Sequence, residues 1–201
     1  MKSIRLLHDS KVHPRRVEVL RRHLVQLLPN DATVLDVGCG DGLLAKRLSD
    51  SKPGITIQGV DVAVRPDTHI RVGTFDGIRL PFEDRSIDVV MYIDVLHHTE
   101  DPLALLREAA RVARKAILIK DHLRSGVLAY TTLRFMDWVG NSHHDVALPY
   151  NYWTKDAWNK AFFGLELTVE RWIPRLQIYP APWDWLFGRS LHFIAQLGLP
   201  Q

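Results

Sequence analysis

The chain has 201 residues, 46% hydrophobic and 24% charged, with a net charge of +3. That is ordinary globular composition, long enough for one well-buried α/β domain, and it lacks the clustered basic footprint of a dedicated nucleic-acid binder. The single cysteine, Cys39, excludes an internal disulfide, and no stretch is long and charge-free enough to span a bilayer, so a soluble, cytoplasmic protein is expected.

The first predicted element is a helix. Pro14 suits a first helical position, Val17, Leu20, Leu24 and Leu27 recur at helical spacing, and Pro29-Asn30 ends the segment. Arg15, Arg16, Arg21 and Arg22 lie mostly on the other side and read as a solvated face. A short apolar strand, Val34 to Val37, then runs into Gly38-Cys39-Gly40-Asp41-Gly42, and the turn opens the amphipathic segment Leu43 to Leu48. Glycine adopts positive φ without a Cβ clash and lets a ligand approach the backbone. The spacing is G-x-G-x-G, with Leu43 where a dinucleotide fingerprint needs its third glycine. Asp36 and Asp41 flank the turn; they would repel a pyrophosphate and suit a ligand with cationic groups. In these residues the chain resembles the class I S-adenosylmethionine-dependent methyltransferases, whose donor carries an ammonium and a sulfonium.

Gly54 to Val60 reads as a second strand ending at Asp61, about where nucleoside-binding α/β folds place an acid for the ribose hydroxyls. The resemblance assigns Asp61 that role. His69 to Thr74 is a short third strand, and the crossover helix before it is expected to be reduced or missing. Asp76 can accept from an adenine amino group, with the backbone beside it serving a ring nitrogen. Ser86 to Ile93 is a continuous apolar run, as in a central parallel strand buried on both faces. Asp101 caps a helix with Pro102 at its first position and Leu105, Leu106, Ala109 and Val112 on its buried side. Leu80 to Pro102 is similar to the type 11 methyltransferases, many of which modify small molecules or lipid-like quinones. A fifth strand, Lys115 to Lys120, ends at Asp121-His122. The resemblance thus implies S-adenosyl-L-methionine as cofactor, held by Asp36, Gly38, Cys39, Gly40, Gly42, Asp61, Val62, Asp76, Gly77, Ile93 and Asp94. The side chain of Cys39 itself reads as a small residue filling the turn.

The last third is expected to carry substrate specificity. Val127 to Trp138 has helical spacing with a stop at Gly140-Asn141, and Thr154 caps a further helix with Trp153 and Trp158 placed as a hydrophobic staple. Leu165, Leu167 and Val169 alternate with polar residues as in a half-buried strand, and Leu191 to Ala195 matches it. Between them Ile178 to Phe187 reads as a loop over the sheet edge. Its aromatics either pack on the core or wall an apolar pocket or membrane-facing lip. The expected fold is α/β: a doubly wound, mostly parallel seven-stranded Rossmann-like sheet with helices on both faces and a C-terminal antiparallel pair. We expect one domain over 1–201, divided into an N-terminal helix (1–30), a cofactor-binding half (31–122) and a substrate-facing half (123–201).

Methyl transfer needs alignment and exclusion of water, and an oxygen acceptor also needs a base. His97, His98, His122, His143 and His144 are the candidate bases; His98 and the Asp121-His122 pair are preferred as catalytic candidates because they follow strand ends. His143, Tyr152, Trp183 and Trp185 are the candidate substrate residues. No tight ligand spacing supports a metal built from Asp121, His122, His143 and His144, and none is expected. The turn after the fourth strand, Asp94-Val95-Leu96-His97, lacks the Asn/Asp-Pro-Pro-Tyr pattern of base amino methylation, and Cys39 is misplaced for cytosine methylation. The expected function is methyl transfer to a small-molecule or lipid-like acceptor, foremost at oxygen, then at nitrogen or carbon; the rival is a non-catalytic binding protein on the same scaffold. No nucleic-acid partner is expected, and a peripheral membrane contact is compatible with the aromatic loop.

Overall fold

The computed structural model describes residues 12–141 and 149–200. Helix α1 (His13–Leu27) is followed by β1 (Ala32–Val37), α2 (Leu43–Ser51), β2 (Ile55–Asp61), β3 (Val72–Thr74) and β4 (Ile87–Ile93). After a single 3-10 turn, Leu96–His98, come α3 (Pro102–Val112), β5 (Ala113–His122), α4 (Ala129–Asn141), α5 (Lys155–Gly164), β6 (Thr168–Ile173) and β7 (His192–Gly198). The strands form one sheet in the order β3-β2-β1-β4-β5-β7-β6. β1 to β5 pair in parallel, whereas β7 lies antiparallel between β5 and β6. No helix is described between β2 and β3, as expected from the short connection.

Period-two alternation divides each central strand between two cores. Leu35, Val37, Val90, Tyr92, Ile117 and Ile119 face the side covered by α3 and α5. Val34, Val89, Met91, Ala116 and Leu118 face the side covered by α1 and α2. Both faces being covered explains why β4 and β5 read as unbroken apolar runs. The four apolar residues chosen on α1 are all buried, and each contributes on the order of 1.5–3 kcal/mol.

The termini of the helices follow their local chemistry. Asp101 accepts from the Ala104 amide and Pro102 begins α3. Thr154 accepts from the Ala157 amide, and the Trp153 and Trp158 rings lie 4.8 Å apart as the staple requires.

Four sequence expectations are corrected. The strand expected over Leu165 to Val169 begins at Thr168, because the end of α5 claims the preceding residues: the Leu165 and Leu167 amides both donate to the Phe162 carbonyl. Leu167 is buried while Val169 is 40% exposed, so the apparent alternation belongs to two different elements. β3 is three residues long and lacks His69 to Arg71, and β7 starts at His192 and runs on to Gly198. The arginine face of α1 is not simply solvated, since Arg15 Nε donates to the Ile178 carbonyl at 3.0 Å and Arg16 reaches Asp94.

Candidate functional site

The chain runs outward from β1 to β2 and β3, then returns to β4 on the other side of β1, so β1 and β4 form the topological switch point. In open α/β sheets ligands sit at the carboxyl ends of the strands flanking such a point. The glycine turn, Asp61, Asp94 and the Asp121-His122 pair all lie at those ends.

Gly38 and Gly40 have φ of +69° and +60°, and a Cβ on Gly38 would stand 2.6 Å from Val95 Cγ2. Only glycine satisfies both demands there. The Gly38 amide donates to the Val60 carbonyl, and the Gly40 amide donates to Asp61 Oδ2 at 2.8 Å. Asp61 also accepts from the Ala63 amide at 3.1 Å, so its carboxylate is fixed at the end of β2 with lone pairs remaining for a further donor. Cys39 turns its sulfur toward β2, where a Cβ on Gly59 would meet Sγ at 2.3 Å; burial pushes its thiol pKa up. Val62 is exposed, and its Cγ1 would lie 3.2 Å from a Cβ on Gly77. The loops carrying Val62 and Asp76 therefore meet edge to edge. Asp76 is exposed and accepts from the Ile78 and Arg79 amides. Arg65 sits 3.7 Å from Asp41.

Asp36 is the informative residue of this end. It is 3% exposed, its Oδ1 has no hydrogen-bond partner, and burial together with the Asp61 charge pushes its pKa up to about 8. A buried acid driven to keep its proton in this way is one that a cationic group brought beside it would return to the ionised form. The orphaned Asp36 oxygen, the glycine cradle and the anchored Asp61 together fit an amino-acid-bearing nucleoside.

Beside it lies a denser cluster built from side chains. Asp94, with φ of +59°, is gripped by Lys120 on one oxygen and Arg16 on the other. Burial would raise its pKa, but these two cations hold it well below the usual carboxylate range. Asp121 is fully buried and accepts from the Leu96 amide at 3.1 Å, the His122 amide at 2.6 Å and His97 Nδ1 at 2.6 Å. His97 Nε2 is 3.4 Å from Asp137 Oδ2, and the Tyr152 hydroxyl donates to that same oxygen. Burial alone would lower the His97 pKa, but Asp121 and Asp137 overcome it and push it up to about 10. Burial and the charged His97 then hold His122 well below the usual histidine range and bring His98 down to about 4. His192, on β7, lies against Lys120, and burial with that ammonium keeps it neutral. Three cations, Arg16, Lys120 and His97, thus face three carboxylates, Asp94, Asp121 and Asp137.

Of the catalytic candidates, Asp121 and His122 are brought into this cluster, but Asp121 orients His97 and stands 3.8 Å from His122 Nδ1. His98 is half-buried, with its Nδ1 buried and unpartnered. Among the substrate candidates, Tyr152 is 4% exposed and serves Asp137, so it is a framework residue rather than an open pocket wall. Trp183 and Trp185 are 56% and 80% exposed, on a π-helical turn, Asp184–Gly188; they do not pack on the core. His143 and His144 lie outside the described residues. The site choices made from sequence omitted Arg16, Lys120, Asp137 and His192. An arginine on a charged helix face carries no local mark of its partner, whereas the signal for Lys120, Asp137 and His192 was the polar residue inside an otherwise apolar run.

Comparison with known proteins places residues 35–118 in the family described as a methyltransferase domain, type 11. A 2-methyl-6-phytyl-1,4-hydroquinone methyltransferase from Synechocystis is 31% identical over 68% of this chain and 43% of its own length. A ubiquinone biosynthesis O-methyltransferase from Aliivibrio fischeri is 31% identical over 40% of the chain and 39% of its own length. The chain thus spans less than half the length of these curated relatives. Among solved structures, an S-adenosylmethionine-dependent methyltransferase from Mesorhizobium loti superposes with a TM-score of 0.67 at 17% identity, covering 88% of this chain and 96% of that one. This last likeness is one of fold.

Proposed function

Since the chain carries a class I methyltransferase domain of type 11 at residues 35–118, we propose that it transfers a methyl group from S-adenosyl-L-methionine to oxygen on a small-molecule or lipid-like acceptor. The observation that carries this reading is the buried Asp36 oxygen without a partner beneath the glycine turn. The donor ammonium supplies the missing positive partner, and the outer lone pairs of Asp61 receive the ribose hydroxyls. Asp76 and the backbone beside Gly77 meet the adenine edge, with Val62 against the ring face, while Ile93 and Asp94 close the far side.

The bound donor supplies an activated methyl on a sulfonium. The chain's own residues then have three tasks: to align the acceptor, to exclude water and to deal with its hydroxyl proton. The turn at Leu96–His98 sits on the donor side of the sheet and holds a partly open imidazole, His98, whose lowered pKa keeps the ring neutral and able to accept a hydrogen bond from that hydroxyl. Asp36, the glycine turn and Asp61 would hold the methyl donor so that it supplies the methyl carbon to the acceptor oxygen and keeps the carbon–sulfur electron pair on its own sulfur. Asp121 positions the turn through the Leu96 amide and His97. An apolar acceptor is supported by a groove lined by Leu128, Thr131, Thr132, Phe135, Leu186 and Phe187. Trp183 and Trp185 stand exposed beside it. This rim also suits a lipid surface, from which such an acceptor would be drawn.

Calorimetry with S-adenosylmethionine tests the donor half. Wild type should bind, and Asp36→Asn should weaken binding by about 100-fold, the equivalent of roughly 2.7 kcal/mol. Labelled methyl transfer into a cell extract, with identification of the product, tests the acceptor half. Absence of donor binding by folded wild-type protein overturns the proposal, and a product labelled at nitrogen or carbon overturns the choice of oxygen.

A further inference from the structure

His97, His98 and Asp137 each offer one ligand atom, and the three atoms lie within 4.8 Å of one another. The geometry points to a divalent transition-metal site formed by His97 Nε2, His98 Nδ1 and the Asp137 carboxylate, with an oxygen of the acceptor completing the coordination. His97 Nε2 and His98 Nδ1 are both buried and without a hydrogen-bond partner, in a ring 1% exposed in the case of His97. His98 Nδ1 is buried without a partner and His97 Nε2 has only the 3.4 Å approach to Asp137 Oδ2, so one ion satisfies both nitrogens and that carboxylate.

The surroundings have the form of a metal's outer shell. Asp121 accepts from His97 Nδ1 at 2.6 Å, which fixes the ring and its tautomer and leaves Nε2 as the ligand atom. Tyr152 holds the Asp137 carboxylate in the same way from the other side. His122 Nε2 lies 4.0 Å from Asp137 Oδ1, within reach of a fourth position after a small shift. Two imidazoles and one carboxylate suit zinc, iron, cobalt or nickel better than magnesium or calcium, which prefer all-oxygen shells. Three protein ligands leave the open coordination position typical of a working site rather than a structural one. The neighbouring group of Asp94, His97, Asp121 and His122 also brings ligand atoms together. There, Lys120 and Arg16 already neutralise Asp94, so a second cation would be repelled.

Only the filling of the open position rests on the methyl-transfer reading; the ion site stands without it. A divalent ion here adds positive charge beside the acceptor. An ionised acceptor oxygen balances that charge, its proton passing to solvent. His98 then acts through the ion instead of accepting the hydroxyl's hydrogen bond itself.

The test is titration of Zn(II) alone into the metal-free full chain by calorimetry, paired with the visible absorption of the Co(II) form. We expect one Zn(II) per chain at micromolar affinity or tighter, and ligand-field bands of low coordination number. His98→Asn, at a half-buried position that should tolerate the change, should weaken Zn(II) binding at least tenfold. Asp121→Asn, acting through His97, should weaken it about 10–100-fold. His69→Ala, on an exposed loop, should leave it unchanged. Failure of the folded wild type to take up stoichiometric Zn(II), or unchanged affinity in folded His98→Asn, overturns the site. Binding of S-adenosylmethionine is read in the same instrument: a chain that binds it but takes up no Zn(II) loses only the ion, and one that takes up Zn(II) but binds no donor loses only the methyl-transfer reading.

Discussion

The two halves of the site are made in opposite ways. The glycine end is made of backbone: a single turn of consecutive residues, three glycines, and acids placed one per strand end. The histidine end is made of side chains drawn from α1, the turn after β4, β5, α4, the stretch before α5 and β7. The first leaves a buried oxygen of Asp36 without a hydrogen-bond partner. The second comes with its charges already matched, apart from two imidazole nitrogens. A ligand-binding end can thus carry its electrostatic debt in one residue, whereas a buried polar centre must settle nearly all of its charges within the fold.

The largest effect that would sharpen this contrast is removal of Lys120. Lys120→Met should leave Asp94 buried with Arg16 as its remaining cation and cost about 3–5 kcal/mol, read as a lowered denaturant midpoint. A loss under 1 kcal/mol would break the view that the histidine end is electrostatically closed. Next comes pH. Asp36 has a folded pKa raised to about 8 against an ordinary value of 3.8, so between those values the folded state holds a proton that the unfolded state releases. Stability of the free protein should fall relative to Asp36→Asn as pH rises from about 4 to 8 and then level off, by an amount on the order of a few kcal/mol. Parallel stability curves for the two proteins across that window would refute the assignment of an unpaired acid. The smallest stability effect belongs to the exposed rim: Trp185→Ala should change stability by no more than about 0.5 kcal/mol, while lowering affinity for an apolar acceptor. A large stability loss would instead return Trp185 to the core.

The same contrast explains what could be read in advance. The glycine spacing, Asp61 and Asp76 are local in sequence, so a donor end could be proposed residue by residue. Much of the fold was legible too, because the α1 stripe, the caps at Asp101 and Thr154 and the unbroken runs of β4 and β5 are each set by short-range chemistry. The histidine end was legible only in part. Asp121-His122 could be placed at a strand end, but which of His97 and His98 turns inward depends on a single 3-10 turn. Lys120 looked like a strand terminus, yet β5 continues through His122 and β7 covers it, so the ammonium is buried. The error at β6 has a similar origin: the backbone turn that closes α5 at Gly164 takes Leu165 to Leu167 out of the strand.

Because His192 of β7 leans on Lys120 while Arg16 of α1 reaches the same ion pair, the polar centre is closed by segments far apart in sequence. A nascent polypeptide can lay down β1 to β5 in order, but Asp94 and Lys120 stay wet until β7 slides in between β5 and β6. Synthesis must therefore extend through β7 before the centre of the molecule becomes dry.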